Sequence, residues 1–526
     1  MIDAGPAVLE TDSERLISPP FAEWADLARS NHDAASGWSF SVAGVDGRAV
    51  RSLARREALR AAAEFSAKLG VAVRDAGDPE GLIVMTGHQP DLYHPGVWLK
   101  DFLLQRMADE TGATALDVVV DTDGFDSVSV SSPCVPRGVK RCTHYLAFGA
   151  EDACFVGSPV PSMREIDDFC SAVDSMLSSL GALAIQRNFS AFGESLRSAA
   201  SVADNMAELI TIARRRYEAS AGTDYLELPL TRLAKTEAWS TFVAGIALEA
   251  ERFADAYNSA LAEYRIASKT RSSAQPFPDL GREGGLVELP VWRIVSGRRS
   301  AVRVEPKAHG GARLVGDGGE TIVELPADGE AAVAALTASG ELLAPKALTL
   351  TLFTRVFVGD LMIHGVGGGR YDRVTDAVCG RFYGIEPPAF VVATISMHLP
   401  LGTDVVTDPE VAAARERLGR FEHNPDAFVA GAEFISEADR AMAASLVAEK
   451  AQLVSAISAP DADKKSLGLR IREVNAGLAK SLGPLRERLA AELAALESQQ
   501  AVSQILSDRT YPFCLWSPRE VAEKAR

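Results

Sequence analysis

The sequence predicts an α/β protein with a Rossmann-like parallel-sheet core, a helical insertion, a small β-rich insertion and a C-terminal antiparallel helical hairpin, or coiled coil. Two short apolar runs flank a helical pattern between residues 81 and 120, which is the order of a βαβ unit. Apolar residues also recur at steps of 3 and 4 from Ile471 to Leu496, which is the spacing of a packed helical seam. Because Gly483-Pro484 lies inside this seam, a kink or a break is expected there.

Changes in composition and periodicity divide the chain into six predicted segments, since its 526 residues exceed what one core usually holds. In chain order they are a helical lead-in, the first part of the core, a helical connecting region, a β-rich insertion, the second part of the core, and the helical hairpin with a tail: 1–80, 81–160, 161–275, 276–345, 346–430 and 431–526. Core strands are predicted at the apolar runs 81–85, 116–120, 349–353 and 390–394. Core helices are predicted at 97–110 and, after a Gly-rich loop, at 371–383.

Composition and charge restrict the classes of function. With 47% hydrophobic and 24% charged residues the chain has the balance of a soluble globular protein, and its formal charge of −17 argues against a nucleic-acid partner. No apolar run reaches the length of a membrane helix and the first residues lack a secretory signal, so a cytoplasmic protein without a membrane partner is expected. The six cysteines contain no CxxC pair, so reduced thiols and no metal site are predicted.

The first candidate site is the loop between the first core strand and its helix. It follows the carboxyl end of a buried strand, where ligands bind in open α/β sheets, and the helix start offers unpaired N–H groups to a phosphate or a carboxylate. We expect Lys100 to face that anion and His88 to act as a base; the alternative is a solvated lysine and turn histidines. The residues assigned to this site are Thr86, Gly87, His88, Gln89, His94, Gly96 and Lys100.

The second candidate site is an acidic run at the end of the next strand. Asp121 and Asp123 lie two residues apart, so they share a face of an extended chain, and Asp126, which follows them, is assigned to substrate binding. Crowded carboxylates bind an amine, hold Mg²⁺ or accept a proton, whereas the alternative is a plain Asp/Gly turn. Because both strands end at the same edge of a parallel sheet, we predict that Asp121 and Asp123 act in catalysis beside Lys100.

The third candidate site is a Gly-rich segment that precedes a helical pattern, which suggests a loop that cradles an anion. The residues assigned to substrate binding there are Gly367, Gly368, Gly369, Arg370 and Tyr371. His364, just before them, is interpreted either as a base or as a strand histidine satisfied by backbone groups. We expect the three candidate sites to meet at one sheet edge as a positively polarised cup for small acids.

Together the three motifs resemble those of a known family, the cysteine ligases of bacillithiol biosynthesis, to which the chain looks like a distant relative. The loop from Thr86 to Lys100 is similar to the TGQQ loop of that family, with His88 where the family has Gln. The acidic run 121–126 resembles the family's EDHD motif, and the segment 367–371 resembles its late loop without the Pro-Gly-Glu. The family has a Rossmann-like core, a helical connecting region and a C-terminal coiled coil, so the resemblance implies a homodimer formed through the C-terminal helices.

The resemblance implies a ligase-type enzyme of thiol metabolism that joins a cysteine-like amino acid to a small amine-bearing, anionic acceptor, which in the family is glucosaminyl-malate. Amide formation from a free carboxylate is uphill, so a nucleotide such as ATP or ADP is a candidate cofactor. One alternative is a nucleotidylyltransferase-like, ATP-using enzyme, because the His-Pro-Gly run at 94–96 is similar to the His-Gly signature of that class. The other alternative is a non-catalytic scaffold that binds a small ligand and pairs its subunits through the helical hairpin.

Overall fold

The computed structural model describes residues 9, 11–135, 138–270, 277–402, 406–431 and 436–526. Its strands, in chain order, are β1 Arg15–Ser18, β2 Ser41–Val42, β3 Val45–Asp46, β4 Ile83–His88, β5 Thr114–Val119, β6 Ser127–Cys134, β7 Lys140–Phe148, β8 Leu226–Pro229, β9 Arg282–Glu283, β10 Leu286–Val295, β11 Arg298–Pro306, β12 Ala312–Gly316, β13 Thr321–Leu325, β14 Leu343–Pro345, β15 Leu361–His364 and β16 Val391–Ile395.

The α-helices, in chain order, are α1 Trp24–Ser36, α2 Gly47–Ser66, α3 Pro95–Thr111, α4 Met163–Ser178, α5 Leu183–Ala200, α6 Met206–Glu218, α7 Leu230–Leu233, α8 Glu237–Leu248, α9 Ala250–Ala267, α10 Gly329–Ser339, α11 Ala347–Phe353, α12 Val366–Phe382, α13 Asp408–His423, α14 Glu437–Ile457, α15 Lys464–Ser481, α16 Gly483–Leu506 and α17 Pro518–Lys524. A turn of π-helix, Thr354–Val358, follows α11.

The central sheet has six strands in the order β1-β16-β15-β4-β5-β8. Neighbouring strands from β16 to β8 are parallel, and β1 pairs with β16 in the antiparallel direction. Facing residues in the middle of β4 and β5, such as Met85 and Leu116, are fully buried. These strands confirm an α/β fold with a mostly parallel sheet, and its finer classification as Rossmann-like stays a prediction.

Strands β4 and β15 are neighbours, but the chain leaves them in opposite directions. From β4 it passes through α3 to β5, and from β15 it passes through α12 to β16 on the other side. The connections that follow two such strands diverge, so a crevice opens at their carboxyl ends, and open α/β sheets bind ligands in this crevice. The crevice lies here between the first turns of α3 and α12.

Helix α3 begins where the local sequence supplies a cap. His94 is the N-cap residue, and its Nδ1 accepts a hydrogen bond from the backbone N–H of Gly96 at 3.1 Å. Pro95 occupies the first helical position, where no N–H group is needed, and Gly112 ends the helix in the left-handed conformation with φ 71°. A Cβ atom on residue 96 would stand 2.6 Å from the carbonyl oxygen of Ile395, so a glycine is required for α3 to start against β16.

Several predicted elements differ from the observed ones. The run at 349–353, predicted as a strand, lies in helix α11, where the hydroxyl of Thr349 donates to the carbonyl oxygen of Pro290 at 2.6 Å. Periodicity alone does not separate a short buried strand from a buried helical turn. The glycines at 367–369, predicted as a loop, form the first turn of α12. Strands β1 and β8 lie in ranges predicted to be helical, and they form the two edges of the central sheet.

The β-rich segment forms a second, antiparallel sheet in the order β13-β12-β11-β10-β14, with β9 paired to β10. Alternate residues of its long strands, including Val302 and Leu314, are buried. They belong to the same apolar core as Ile83 and Leu116 of the central sheet. The insertion is therefore packed into the core that carries the crevice.

The prediction of six reduced cysteines is wrong for one pair. Cys134 and Cys142 are joined by a disulfide, with their Cα atoms 5.9 Å apart. They lie on the paired strands β6 and β7, where a hairpin brings residues with a separation of 8 opposite each other. This spacing is outside the CxxC pattern on which the prediction relied. The other cysteines are buried thiols: Cys154, Cys170, Cys379 and Cys514.

The chain forms two compact units. The first comprises residues 1–134, 141–399 and 509–526, and the second comprises 135–140 and 400–508, as far as these ranges are described. The six segments predicted from the sequence are a finer division and stay a prediction. Among the described residues, no helix combines the length and the apolarity that crossing a lipid bilayer requires.

The second unit consists mainly of paired antiparallel helices. Helices α13 and α16 run antiparallel, because Glu422 pairs with Arg486 near one end of α13 and Arg415 pairs with Glu497 nearer the other. Helices α14 and α15 also run antiparallel and bury Ala443, Val474 and Leu478 between them. The seam breaks between α15 and α16 at Leu482, which confirms the predicted interruption beside Gly483-Pro484. Coiled-coil packing and dimerisation through these helices stay predictions.

Candidate functional site

A cleft of about 440 Å³ opens at the carboxyl ends of β4, β15 and β16, in the crevice between α3 and α12. The residues that line it are Gly87, His88, His94, Gly96, Val97, Lys100, His364, Gly365, Val366, Gly367, Gly368, Arg370, Thr394 and Arg509. The first and third candidate sites therefore share one cleft, in which Lys100 and Arg370 are both lining residues.

The Lys100 ammonium is fixed at the end of β4. Its Nζ donates to the hydroxyl oxygen of Thr86 at 3.1 Å and to the carbonyl oxygen of Gly87 at 3.0 Å, and the side chain is buried. Burial lowers the pKa of Lys100, while the nearby carboxylates of Asp101 and Asp117 act in the opposite direction. An ammonium has three N–H donors, so one remains for a ligand in the cleft.

A buried polar network lies beneath Lys100. The guanidinium of Arg214 donates to Asp101 at 2.7 Å, to Asp117 at 2.8 Å and to Glu227 at 2.8 Å, and Tyr93 donates its hydroxyl to Asp101 at 3.1 Å. Burial raises the pKa of Asp101 to about 8, against the opposing charge of Arg214. The network ties α3, α6, β5 and β8 together, so the start of α3 has little freedom to move.

His88 and His94 face the cleft in different roles. The Nδ1–H of His88 donates to the carbonyl oxygen of Gln89 at 3.2 Å, and the ring contacts the edge of Tyr93. Burial, reinforced by the charge of Lys100, lowers the pKa of His88 to about 3, so the ring is neutral at physiological pH. Nδ1 of His94 caps α3. His88 therefore acts as a hydrogen-bonding group beside Lys100, and its role as a base stays a prediction that its lowered pKa does not favour.

Helix α12 begins at the cleft without a side-chain cap, because its N-cap residue is Gly365. A Cβ atom on Gly365 or on Gly367 would meet no atom within 4 Å, so these positions border open space. By contrast, a Cβ atom on Gly369 would collide with the side chain of Val392. The unpaired N–H groups of this first turn and its partial positive charge are suited to an anion.

His364 stands at the end of β15, and its partner is a carboxylate rather than the predicted backbone group. Its Nε2 lies 2.8 Å from Oδ2 of Asp372, which also accepts from Nη1 of Arg355 at 2.6 Å. Burial opposes ionisation of Asp372, but the charge of Arg355 and the hydrogen bond from His364 hold its pKa well below the usual range. The sequence reasoning missed this pair, although a separation of 8 residues across a helix start was visible.

The acidic run does not line the cleft, contrary to the prediction for Asp121 and Asp123. Asp121 is buried and accepts the backbone N–H of Thr231 at 2.9 Å and also its hydroxyl. Asp123 accepts from Arg299 at 2.6 Å and from the side chain of Gln89 at 2.7 Å. Their carboxylates are engaged by neighbouring groups of the protein, and Gln89 is turned toward Asp123.

Two further predicted contacts also lie elsewhere. Asp126 is exposed and lines a separate depression with Arg299. Tyr371 is 41% exposed, and its ring packs against Tyr264 and Phe277 with centroids 6.4 and 5.8 Å away. Neither residue is among those that line the cleft.

Thr394 and Arg509 line the cleft but were not predicted. Thr394 lies near the end of β16, and its hydroxyl lies beside Gly96. Arg509 precedes a buried aromatic segment, in which the N–H of Phe513 donates to the carbonyl oxygen of Tyr93 at 2.7 Å. The run from Tyr511 to Trp516 is the signal that could have placed the tail against the core.

The charged side chains described in the lining of the cleft are cationic. Among the described residues that line it, none is Asp or Glu, whereas Lys100, Arg370 and Arg509 carry cationic groups. The uncapped start of α12 adds backbone N–H groups. At the start of α3 the N–H groups of Gly96, Val97 and Trp98 are engaged by His94, contrary to the predicted unpaired groups there. Within the described part of the chain, no group of three His, Cys, Asp or Glu is arranged to hold a metal ion. Comparisons of the chain with protein-family models and with curated proteins found no match.

Proposed function

We propose that the cleft binds a small anionic substrate and that the protein is a ligase-type enzyme. In this proposal it joins a cysteine-like amino acid to an amine-bearing, anionic acceptor. One observation carries the proposal: a cleft without a described acidic lining residue, with Lys100, Arg370 and Arg509 around it, lies where β4 and β15 diverge. The order of sheet core, helical region and antiparallel helices supports the resemblance to the bacillithiol cysteine ligases.

The number of positive groups favours a ligand with more than one negative charge. A hydrogen bond to a charged group contributes about 1.5–3 kcal/mol, and a helix start adds about 0.3–1 kcal/mol. One carboxylate would be bound by Lys100. A second acidic group on the same substrate or on its partner would meet Arg509 and the uncapped first turn of α12.

Amide formation also needs an activated carboxyl group, which a nucleotide such as ATP supplies when it is bound. The residues present fit a phosphate, because Gly365 and Gly367 leave open space against the uncapped start of α12. Arg370 stands one turn further along the same helix and lines the cleft. In this arrangement the chain's own groups would hold the anions and keep the amine and the acyl carbon close together.

The test is amide formation by the purified protein with cysteine, ATP and glucosaminyl-malate, followed by mass spectrometry. The expected product has the mass of the two substrates minus one water, and Lys100→Met should abolish its formation. Lys346→Met removes a half-buried lysine that precedes α11 and pairs with Glu288 of the β-rich sheet, and it is the matched control. If none of the three substrates is consumed while phosphate still binds, the ligase proposal is wrong and the anion site stands.

A second candidate is nucleotidyl transfer, which one specific observation favours. His94 and Gly96 of the His-Pro-Gly run both line the cleft at the start of α3. A nucleotidyltransferase should exchange labelled pyrophosphate into ATP when its second substrate is present. Pyrophosphate exchange without an amide product would favour this candidate over the ligase.

We also propose that the second unit pairs two copies of the chain. Met442, Val454 and Leu469 are large apolar residues of α14 and α15 with about half of their surface exposed. Light scattering after gel filtration should give the mass of a dimer, and Leu469→Glu should give that of a monomer. A monomeric wild-type protein would contradict the pairing.

A further inference from the structure

The imidazole of His364 has a fixed proton position. Its Nε2 lies 2.8 Å from Oδ2 of Asp372. An ionised carboxylate only accepts, so Nε2 carries the hydrogen and Nδ1 keeps its lone pair. No described residue hydrogen-bonds Nδ1, which lies 3.0 Å from where a Cβ atom on Gly368 would stand. The side chain is 10% exposed and lines the cleft, so its acceptor nitrogen lies at the start of α12.

Asp372 is held in place from behind. Arg355 lies in the π-helical turn, and its guanidinium donates to Asp372 at 2.6 Å, to Asp376 at 2.8 Å and to the carbonyl oxygen of Pro388. Turns of π-helix are rare and often occur at functional sites. This clamp fixes the first two turns of α12, and it keeps the carboxylate ionised behind His364.

The surroundings of the cleft's other candidate bases do not favour proton uptake. His88 lies beside the Lys100 cation, which opposes a second positive charge, whereas Nε2 of His364 lies 2.8 Å from the Asp372 carboxylate. Lys100 is itself bonded to two oxygen atoms. Asp121 is engaged by Thr231 and does not line the cleft.

We propose that His364 is the base that takes the proton from the acceptor's ammonium, with Asp372 as its positioning residue. The inference rests on the ligase proposed above. An N–H bond of the ammonium breaks and an Nδ1–H bond forms, which leaves a neutral amine with its lone pair free and an imidazolium paired to Asp372. The amine then attacks the activated carboxyl group. As the bond to the departing group breaks, the nitrogen loses a second proton to solvent and the imidazolium returns its own proton to the departing group, which leaves the amide.

Two variants test this assignment by kinetics. His364→Gln should lower turnover about 10²–10⁴-fold, the usual contribution of a general base, with binding of inorganic phosphate unchanged within about threefold. His398→Gln changes a histidine that does not line the cleft and is the matched control. A His364→Gln enzyme that keeps at least a third of wild-type turnover overturns the assignment, while the ligase proposal stands.

The positioning role has a readout that does not depend on activity. Nitrogen-15 NMR of histidine-labelled protein should show His364 as the tautomer with hydrogen on Nε2. In Asp372→Asn the amide oxygen takes the place of Oδ2, which accepts from both Arg355 and His364, so the Nε2–H tautomer should be kept. The negative charge that faces the imidazolium is lost, so turnover should fall at least about tenfold. An Nδ1–H tautomer in the wild type overturns the inference. Failure of the wild type to form any amide overturns both proposals.

Discussion

The neighbouring strands β4 and β5 of the central sheet both end in polar residues, and the sequence predicts a functional site at each end. In the folded protein the cleft is bordered by residues at the end of β4 and by none of those described at the end of β5. At the end of β4 the side chains of His88 and Lys100 border an open cleft. At the end of β5 the carboxylates of Asp121 and Asp123 are engaged by Thr231, Gln89 and Arg299. The residues of the first region are offered to a ligand, and those of the second hold the protein together.

The difference shows that residue type at a strand end predicts polarity but not the partner. A buried polar group must be satisfied, and either the protein or a ligand satisfies it. For Asp121 the partner is a backbone N–H at the start of α7, about one hundred residues later in the chain. No local sequence pattern predicts a hydrogen bond between such distant segments. The roles of the two regions are therefore distinguished by experiments that measure ligand binding and stability.

The largest expected effect is the loss of anion binding in Lys100→Met. Removing a buried charged partner costs about 2–5 kcal/mol, which corresponds to a loss of about 30-fold or more in affinity for inorganic phosphate or L-malate by calorimetry. Methionine relieves an unfavourable buried charge but leaves the carbonyl oxygen of Gly87 without its donor, so the thermal midpoint is measured beside the affinity to separate loss of binding from loss of folding. Unchanged affinity would show that the cleft does not use this lysine.

The next effect is on stability and concerns the acidic region. Burial raises the pKa of Asp121 to about 6, from the ordinary 3.8, and the nearby Glu208 acts in the same direction. The folded state therefore binds more protons than the unfolded state between pH 4 and 6, so the free energy of unfolding should fall as pH rises through this window, by at most about 3 kcal/mol.

Asp121→Asn should remove that dependence on pH. Urea denaturation at pH 4, 5 and 6 measures the free energy of unfolding of the variant and of the wild type. The contributions of other titrating groups cancel in the difference between the two. Phosphate affinity of the same variant should match that of the wild type. An unchanged pH dependence, or a loss of phosphate affinity, would contradict a purely structural role for Asp121 and would favour a role in ligand binding.

A smaller effect is expected for Arg370→Ala. Arg370 is half-buried at the cleft, so its hydrogen bond to an anion is partly screened and should contribute about 1–2 kcal/mol, a loss of roughly 5–30-fold in affinity for L-malate. Arg373→Ala, on the same helix but outside the cleft, is the matched control with 50% side-chain exposure. Equal effects of the two variants would indicate a general change in charge rather than a binding contact.

The fold was largely predictable from local patterns, whereas the site was predictable only in part. The buried run at 83–85 and the capped start of α3 each depend on adjacent residues, so the sequence indicates them. Arg509 reaches the cleft from a segment more than four hundred residues away from Lys100. The His364–Asp372 pair needs the π-turn that carries Arg355, and no periodicity in the sequence predicts that turn.

The smallest expected effect is that of Asp123→Asn, which probes the boundary between the two regions. Asp123 pairs with Arg299 at 2.6 Å, with 33% and 25% of the two side chains exposed, and such pairs contribute about 0–1 kcal/mol to the free energy of unfolding. Gln89 would keep a hydrogen-bonding partner in the variant, so the loop next to His88 should not move. Phosphate affinity should therefore stay within about threefold of the wild type. A tenfold loss would mean that Asp123 positions the cleft through Gln89, and the two strand ends would then have to be treated as one site.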